Sequence, residues 1–241
     1  MRTYSLRSMV GVVVLLSGLS VQAQDLSTLT AKLKNLRGKD AIRVAVLVEV
    51  GAAAGETNES PESEKLHVSL ASDPNGLRLV VPGEVADTRL FREFSLFRAS
   101  EIVHCGPSLV RELAGMELVE SRPDSREGVP CTRWHLRADE KLSQSGVTAK
   151  VHKEVEIWID TDGYPMAASF KKQAESRMLL FKMTRESARE QGYKRCGDRL
   201  VLVLDRTEEA DGDGKSRGAK RTVTTTTQIA APPGAHPQSR D

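Results

Sequence analysis

The sequence predicts a mainly β protein (α+β) in which a strongly curved antiparallel sheet forms an unclosed β-barrel with helices as a lid. About ten segments between residues 41 and 229 have strand-like apolar patterns, with turn signals between neighbours. Two other stretches, residues 26–36 and 88–114, have apolar stripes at helical spacing. No repeat of fixed period and no second alternation of strand and helix is present, so the pattern does not favour a parallel sheet.

Residues 1–23 have the features of a cleavable signal peptide. Arg2 and Arg7 make the first residues positively charged. The apolar run over residues 9–19 is shorter than a transmembrane helix normally requires. Small residues then precede a predicted cut before Gln24. An uncleaved N-terminal anchor is the alternative. We therefore expect a periplasmic or secreted protein that has no transmembrane segment after leader cleavage.

Length and composition limit the number of domains in the mature chain and the kinds of partner it can bind. Removing 23 of the 241 residues leaves 218, which we divide into a single half-barrel domain over residues 24–229 and a disordered tail over residues 230–241. The whole chain has 35 basic and 33 acidic residues, and the leader holds two of the arginines, so the mature chain has 33 of each. A net charge of zero argues against nucleic acid as a partner. Aromatic residues make up only 4%, which is low for a surface that binds carbohydrate or stacks on bases.

The two helical stretches flank the first strands. In the first, Asp25 is a candidate N-cap and Gly38 a candidate end. The second consists of residues 87–97 and 100–115, and we expect it to break at Gly106-Pro107. Three of the five phenylalanines lie in residues 87–97, so we expect this segment to pack on the core or to cover another apolar surface of the protein.

The strands follow from alternation and from turn residues. The clearest hairpin turn contains Asn75-Gly76. The last strand is rich in threonine and has few apolar positions, so we predict that it lies at a sheet edge. The predicted strands span residues 41–50, 66–70, 77–81, 117–121, 130–137, 148–160, 164–173, 177–186, 199–208 and 220–229.

The chain has three cysteines, Cys105, Cys131 and Cys196. In an oxidising compartment, one disulfide and one remaining thiol is the simplest outcome, and spacing does not choose among the three pairings. A zinc site built from Cys105, Cys131 and either His104 or His135 is an alternative, although the spacing matches no metal motif. We expect no cofactor and no metal.

Catalytic motifs do not stand out. The sequence contains no Gly-rich phosphate loop, nucleophile elbow or metal-binding helix motif. The carboxylates of Asp211 and Asp213 could hold Ca²⁺ loosely, but a hairpin turn needs no ion. Asp160 and Asp162 lie at another turn, where such side chains commonly bond to backbone N–H groups. We therefore predict that the protein is not an enzyme.

A curved sheet under amphipathic helices can leave an apolar cavity that suits acyl chains. An ordinary packed core with no ligand is the alternative. If the cavity is open, the predicted ligand-binding residues come from the sheet face and from the helical lid: Phe91, Phe94, Ile157, Ile159, Met166, Phe170, Leu179, Phe181 and Met183.

Two segments carry a family resemblance: residues 128–136 (GVPCTRWHL) and residues 154–168 (EVEIWIDTDGYPMAA). Together with the order of elements, they resemble the Lol-type outer-membrane lipoprotein carriers and their half-barrel relatives. The resemblance implies an unclosed barrel with a helical lid, and an exported periplasmic carrier of lipid or lipoprotein acyl chains. No functional residue of the family matches a numbered position here.

The relatives leave a second function open, a periplasmic protein-interaction or envelope-stress regulatory module without a lipid ligand. Such a module would hold an envelope protein partner through the predicted edge strand over residues 220–229 or through the face that bears Trp158. A secreted hydrolase is a third alternative.

Overall fold

A computed structural model describes residues 25–51, 64–80, 94, 96–144, 147–178, 181–212 and 217–230. This part of the chain forms three helices and ten strands. The helices are α1 (Leu26–Asn35), α2 (Leu96–Val103) and α3 (Gly106–Leu113). The strands are β1 (Ile42–Gly51), β2 (Glu64–Asp73), β3 (Gly76–Val80), β4 (Glu117–Arg126), β5 (Val129–Gln144), β6 (Val147–Ile159), β7 (Pro165–Met178), β8 (Phe181–Cys196), β9 (Arg199–Gly212) and β10 (Arg217–Ile229).

All ten strands belong to one antiparallel sheet with the order β3-β2-β1-β10-β9-β8-β7-β6-β5-β4. β3 and β4 form its two edges, so the sheet is not closed. The prediction of a mainly β protein with an unclosed sheet is therefore confirmed. From β4 to β10 each strand pairs with the next one along the chain. The pairing of β1 with β10 brings the first strand beside the last one.

The prediction that the last strand is an edge strand is wrong. β10 lies between β1 and β9, with Thr225 opposite Val48 on one side and opposite Asp205 on the other. Thr225 and Thr227 are buried. Threonine is β-branched and suits a central strand as well as an edge strand, so a shortage of apolar residues was not a sound sign of an edge.

α1 and α3 begin and end close to the predicted positions, whereas α2 begins at Leu96 and runs through residues 98–99, which lie between the two predicted helical pieces. The Asp25 carboxylate caps α1 by accepting a hydrogen bond from the Thr28 backbone N–H at 2.7 Å. The second helical stretch breaks at His104–Cys105, before the predicted Gly106-Pro107 break. Pro107 lies in the first turn of α3, where its missing N–H costs nothing, so the proline starts a helix here. Residues 87–93 and 95 of the predicted helix lie outside the described residues.

One hydrophobic core joins the helices to the sheet. α2 packs on β9 and α1 packs on α3. The core includes Leu29 and Leu33 of α1 together with Trp134, Leu136 and Leu200 of the sheet, all nearly inaccessible to solvent. No helix in the described part of the chain is long and apolar enough to span a bilayer.

Candidate functional site

A groove of about 400 Å³ lies between the helices and the sheet, beside the hydrophobic core. Arg98 of α2 and Glu112 of α3 line one wall. The floor and the other wall come from strands β7 to β10, whose paired residues share one face of the sheet because the register is antiparallel. These strand residues are Phe170, Lys172, Ser187, Arg189, Thr207, Glu209, Val223 and Thr225.

Two rows of the ladder explain this composition. Phe170 faces Arg189 across β7 and β8, and Arg189 faces Thr207, which in turn faces Val223. The next row outward holds Lys172, Ser187 and Glu209. The groove therefore has an apolar surface at Phe170 and Val223, with charged and hydroxyl groups around it.

A buried carboxylate lies next to the groove. The Asp205 side chain has no solvent exposure. Arg189 donates from Nε and Nη2 to the two oxygens of Asp205, at 2.8 and 3.1 Å, and Arg98 forms a second ion pair with the same carboxylate. Two arginines around one buried acid compensate the cost of removing that acid from water. They also fasten α2 to β9.

Arg98 connects this cluster to the helices. Its Nη1 lies 3.5 Å from Glu101, which also accepts a hydrogen bond from the Ser108 hydroxyl of α3 and lies 3.7 Å from Arg111. Burial, followed by the neighbouring Arg189 charge, lowers the pKa of Arg98 to about 10. The guanidinium therefore stays charged at neutral pH, and the polar connection between helices and sheet persists.

Gln191 and Tyr193 extend the cluster into the core. With the Gln191 amide turned so that its oxygen faces Arg189, that oxygen accepts from Nε at 3.0 Å and from Nη2 at 2.8 Å, and the amide nitrogen donates to the Tyr193 hydroxyl at 2.6 Å. Burial raises the pKa of Tyr193 well above its ordinary value of 10. Each of these buried side chains thus has at least one hydrogen-bond partner, as most buried polar groups in proteins do.

The predicted ligand-binding residues that the structure describes fall in different environments, although Phe170 also packs against the core that contains Phe94, Ile157 and Ile159. Of that set, Phe170 lines the groove. Phe94, Ile157 and Ile159 are buried in the core, where helix side chains pack with them. Met166 is half-buried, and the side chain of Met183 is 54% exposed, farther out along β8. Phe91, Leu179 and the side chain of Phe181 lie outside the described residues.

Sequence reasoning missed the charged residues of the site and its neighbouring cluster: Arg98, Glu112, Lys172, Arg189, Asp205 and Glu209. Asp205 left a visible signal, because it directly follows the apolar run Leu200–Leu204 of β9. A carboxylate that ends such a run on a core-facing strand calls for a cationic partner. Arg189, which supplies that charge, lies 16 residues earlier in the chain, on the neighbouring strand.

The three cysteines are free thiols in the structure, so no disulfide joins them here. Cys105 lies on the helix side and donates from Sγ to the Leu200 carbonyl at 3.2 Å. Cys131 belongs to the opposite sheet face from Trp134 and Leu136, because side chains alternate along β5. Burial raises the pKa of both thiols. The described residues contain no group of three or more His, Cys, Asp or Glu side chains placed to hold a metal ion.

The opposite sheet face carries two smaller polar clusters. The indole Nε1 of Trp158 donates to Asp124 at 2.9 Å, and the Arg126 guanidinium lies 4.4 Å from the centre of the indole ring. Farther along the sheet, His152 lies between two carboxylates, with Nδ1 at 2.7 Å from Asp139 and Nε2 at 3.2 Å from Glu154. Both clusters are partly exposed and lie across the sheet from the groove.

Comparisons with protein-family models, with curated proteins and with solved structures give no match. The resemblance to Lol-type carriers therefore stays a prediction from the two sequence segments and the order of elements. The groove itself offers hydrogen-bond donors, acceptors and an apolar surface, which are the elements of a binding site.

Proposed function

We propose that this protein is an exported periplasmic carrier that binds lipid or lipoprotein acyl chains between the inner face of the sheet and its helical lid. The single observation that carries the proposal is the groove of about 400 Å³ at the boundary of the helix layer. That volume falls within the range of about 300–1,000 Å³ typical of small-molecule sites.

The apolar part of the groove supplies the driving force. Phe170 and Val223 are half-buried and pack against the edge of the core. Covering apolar surface yields about 25 cal/mol per Å², so an acyl chain laid over these side chains gains free energy without any directional contact. Because the chain enters beside the core, binding needs no rearrangement of the buried Ile157 and Ile159.

The polar connection between α2 and the sheet supports a helix layer that acts as a lid. Ion pairs from Arg98 to Asp205 and to Glu101 hold this boundary, beside the groove. Polar contacts at the mouth of a groove tolerate water, so the groove can stay hydrated until an acyl chain displaces that water.

Lipid retention tests the proposal. The protein is purified from the envelope of its own host without detergent, and bound lipid is sought by native mass spectrometry and by solvent extraction. A fluorescent fatty acid is then titrated into delipidated protein and into the Phe170→Ala variant. We expect extractable lipid, saturable uptake, and weaker uptake by the variant.

Lys171→Ala is the matched control, because Lys171 follows Phe170 on β7 and belongs to the opposite face of the sheet. Its uptake should equal that of the wild type. Protein that carries no lipid and takes up no fatty acid contradicts the proposal.

A second candidate function is an interaction module for an envelope protein. Here the favouring observation is the edge strand β4, on which Leu118 and Val119 are 38% and 58% exposed. An edge strand can pair with an extended segment of a partner. Cross-linking from a cysteine introduced at Val119, followed by mass spectrometry of envelope extract, tests it. Capture from this cysteine that is unaffected by Leu118→Asp would contradict this function.

A further inference from the structure

Among the described residues that line the groove, one basic and one acidic side chain have no partner within the described part of the chain. Most charged groups that line it already have partners within the described part of the chain: Arg98 pairs with Asp205 and Glu101, and Arg189 pairs with Asp205. Glu209 pairs with Arg185 at 3.1 Å.

Lys172 of β7 and Glu112 of α3 make no hydrogen bond or ion pair with any described residue, although both line the same cavity. The groove therefore presents one positive and one negative group, each on its own wall.

The positive group has a second donor beside it. Lys172 lies two residues after Phe170 on β7, on the same face of the sheet, and Phe170 faces Arg189. Arg189 uses Nε and Nη2 on Asp205, which leaves Nη1 for another acceptor. The Ser187 hydroxyl lies directly opposite Lys172 in the register. Ammonium, guanidinium and hydroxyl donors on one face suit a phosphate, since phosphate oxygens accept several charge-assisted hydrogen bonds.

The negative group belongs to the opposite wall. Glu112 projects from α3, near the end of the helix, and lines the groove across from the strands. A purely anionic head group would satisfy Lys172 and would meet repulsion from Glu112. A head group that also carries an ammonium ion would pair with both residues.

We propose that the ligand of this groove is a zwitterionic amphiphile, whose phosphate contacts Lys172 and Arg189, whose ammonium group contacts Glu112, and whose acyl chain covers Phe170 and Val223. This inference rests on the proposed function and names the chemical class of the carried lipid. A phosphoethanolamine head group on an acyl chain has this chemistry.

Isothermal titration of the mature chain at pH 7 tests the inference with four probes: lysophosphatidylethanolamine, lysophosphatidylglycerol and laurate, all with a twelve-carbon chain and below their micelle concentrations, and phosphoethanolamine without a chain. We expect the zwitterionic lysolipid to bind about fivefold tighter than the anionic one, which is the size of effect that one partly exposed ion pair supplies. Free phosphoethanolamine should bind far more weakly, because it covers no apolar surface.

Two variants separate the charges. Glu112→Gln should weaken binding of lysophosphatidylethanolamine about fivefold and should slightly strengthen binding of lysophosphatidylglycerol, because the repulsion from the carboxylate is removed. Lys172→Gln should weaken both phospholipids by a similar factor. Lys171→Gln and Glu190→Gln are the matched controls, because both residues belong to the opposite face of the sheet, and their affinities should equal those of the wild type. Thermal unfolding midpoints should agree across all four variants.

The outcomes distinguish this inference from the proposed function. If both lysolipids bind equally well, or if Glu112→Gln weakens both equally, the zwitterion assignment is wrong while the carrier function stands. If phosphoethanolamine binds as tightly as the lysolipid, the acyl chain contributes nothing and the carrier function is wrong. If none of the four probes binds, both proposals fall together.

Discussion

The inner face of the sheet has two halves built from the same strands. In one half, helices cover Trp134, Leu136 and Ile157, whose side chains are at most 1% exposed. In the other half, the same face carries Lys172 and Glu209, which are exposed.

The cluster of Arg189 and Asp205 marks the boundary between the two halves. The helix layer covers the apolar part of each strand and stops where the core-facing positions become charged. The helices therefore extend over the sheet only as far as its inward-facing residues are apolar. A helix packed over the charged positions would bury charged groups without partners, which is costly. The groove lies where the cover stops.

We expect substitutions at this boundary to reduce the free energy of unfolding more than substitutions in the uncovered half. Asp205→Asn removes the buried charge that Arg98 and Arg189 share, so two guanidinium groups are left with reduced compensation. We expect a loss of about 3 kcal/mol in the free energy of unfolding, measured by urea denaturation. Glu209→Gln, which removes a half-exposed partner of Arg185, should cost less than about 1 kcal/mol. Equal effects of the two changes would remove the distinction between the boundary and the uncovered half.

A comparison of two truncations contrasts the halves directly. Leu136→Ala opens a cavity under the helices and should destabilise the protein by about 3 kcal/mol. Met183→Ala, in the uncovered half, should change the free energy of unfolding by less than about 0.5 kcal/mol because this side chain is 54% exposed. Equilibrium unfolding of the two variants gives the difference. A large loss from Met183→Ala would mean that something covers the second half in solution.

The turn between β8 and β9, which contacts the segment after α1, offers a third test. Gly197 has a φ of +58°, and a Cβ there would clash with Oδ2 of Asp40. The Asp40 carboxylate also accepts a hydrogen bond from the Asp198 backbone N–H at 2.9 Å. Gly197→Ala should therefore combine backbone strain with a displaced carboxylate and cost about 2 kcal/mol.

Gly128→Ala is its control. Gly128 has a φ of +80°, but a Cβ there would have nothing within 4 Å. This change should show the backbone strain alone, about 1 kcal/mol. If thermal unfolding finds the two alanine variants equally stable, the contact between Asp40 and the β8–β9 turn does not contribute.

The smallest effect contrasts two histidines. Burial, followed by the Arg199 charge, lowers the pKa of His104 below its ordinary value of 6.5. Hydrogen bonds to Asp139 and then Glu154 raise the pKa of His152 above 6.5. The folded chain thus binds a proton at His104 less readily than the unfolded chain does, so the contribution of His104 to stability falls as pH drops from 6.5 through the folded-state pKa.

His152 has the opposite sign. Its contribution is fully present below the unfolded pKa and is lost as pH rises through the raised folded pKa. Proton NMR titration of the imidazole Cε1–H signals, assigned with His104→Gln and His152→Gln, should place one midpoint below 6.5 and the other above it. Two coincident midpoints would contradict the contrast between a histidine whose pKa is lowered mainly by desolvation and one whose pKa is raised mainly by carboxylate partners.

Local pattern predicted most of the elements. Residues 177–186, predicted as one strand, are instead divided between β7, which ends at Met178, and β8, which begins at Phe181 and pairs with it. The polar stretch that separates β4 from β5 was also predicted too long, because β4 continues to Arg126. Alternation along residues 148–160 and 199–208 indicated strands because side-chain direction in a strand has a period of two. Asp25 and the apolar stripe after it indicated α1 for the same kind of local reason. Residue chemistry also placed Ile157 and Ile159 on the inner face, although packing put them under helices rather than in the groove.

Other features depended on pairing between distant parts of the chain. β10 is central because β1 covers its open side, and nothing within residues 217–229 specifies a partner about 180 residues away. For the same reason, the charged groove residues could not be predicted from local pattern: Arg98, Glu112, Lys172 and Arg189 come from four separate elements.

The amino-acid sequence by itself determined that this chain forms antiparallel strands with an apolar inner side and amphipathic helices to cover it, because periodicity and turn residues act over a few positions. Only the tertiary structure decided which strands form the edges, how far the helices extend over the sheet, and which charges meet at Asp205. Those outcomes depend on the register between strands, which is set jointly by many side chains far apart in the sequence.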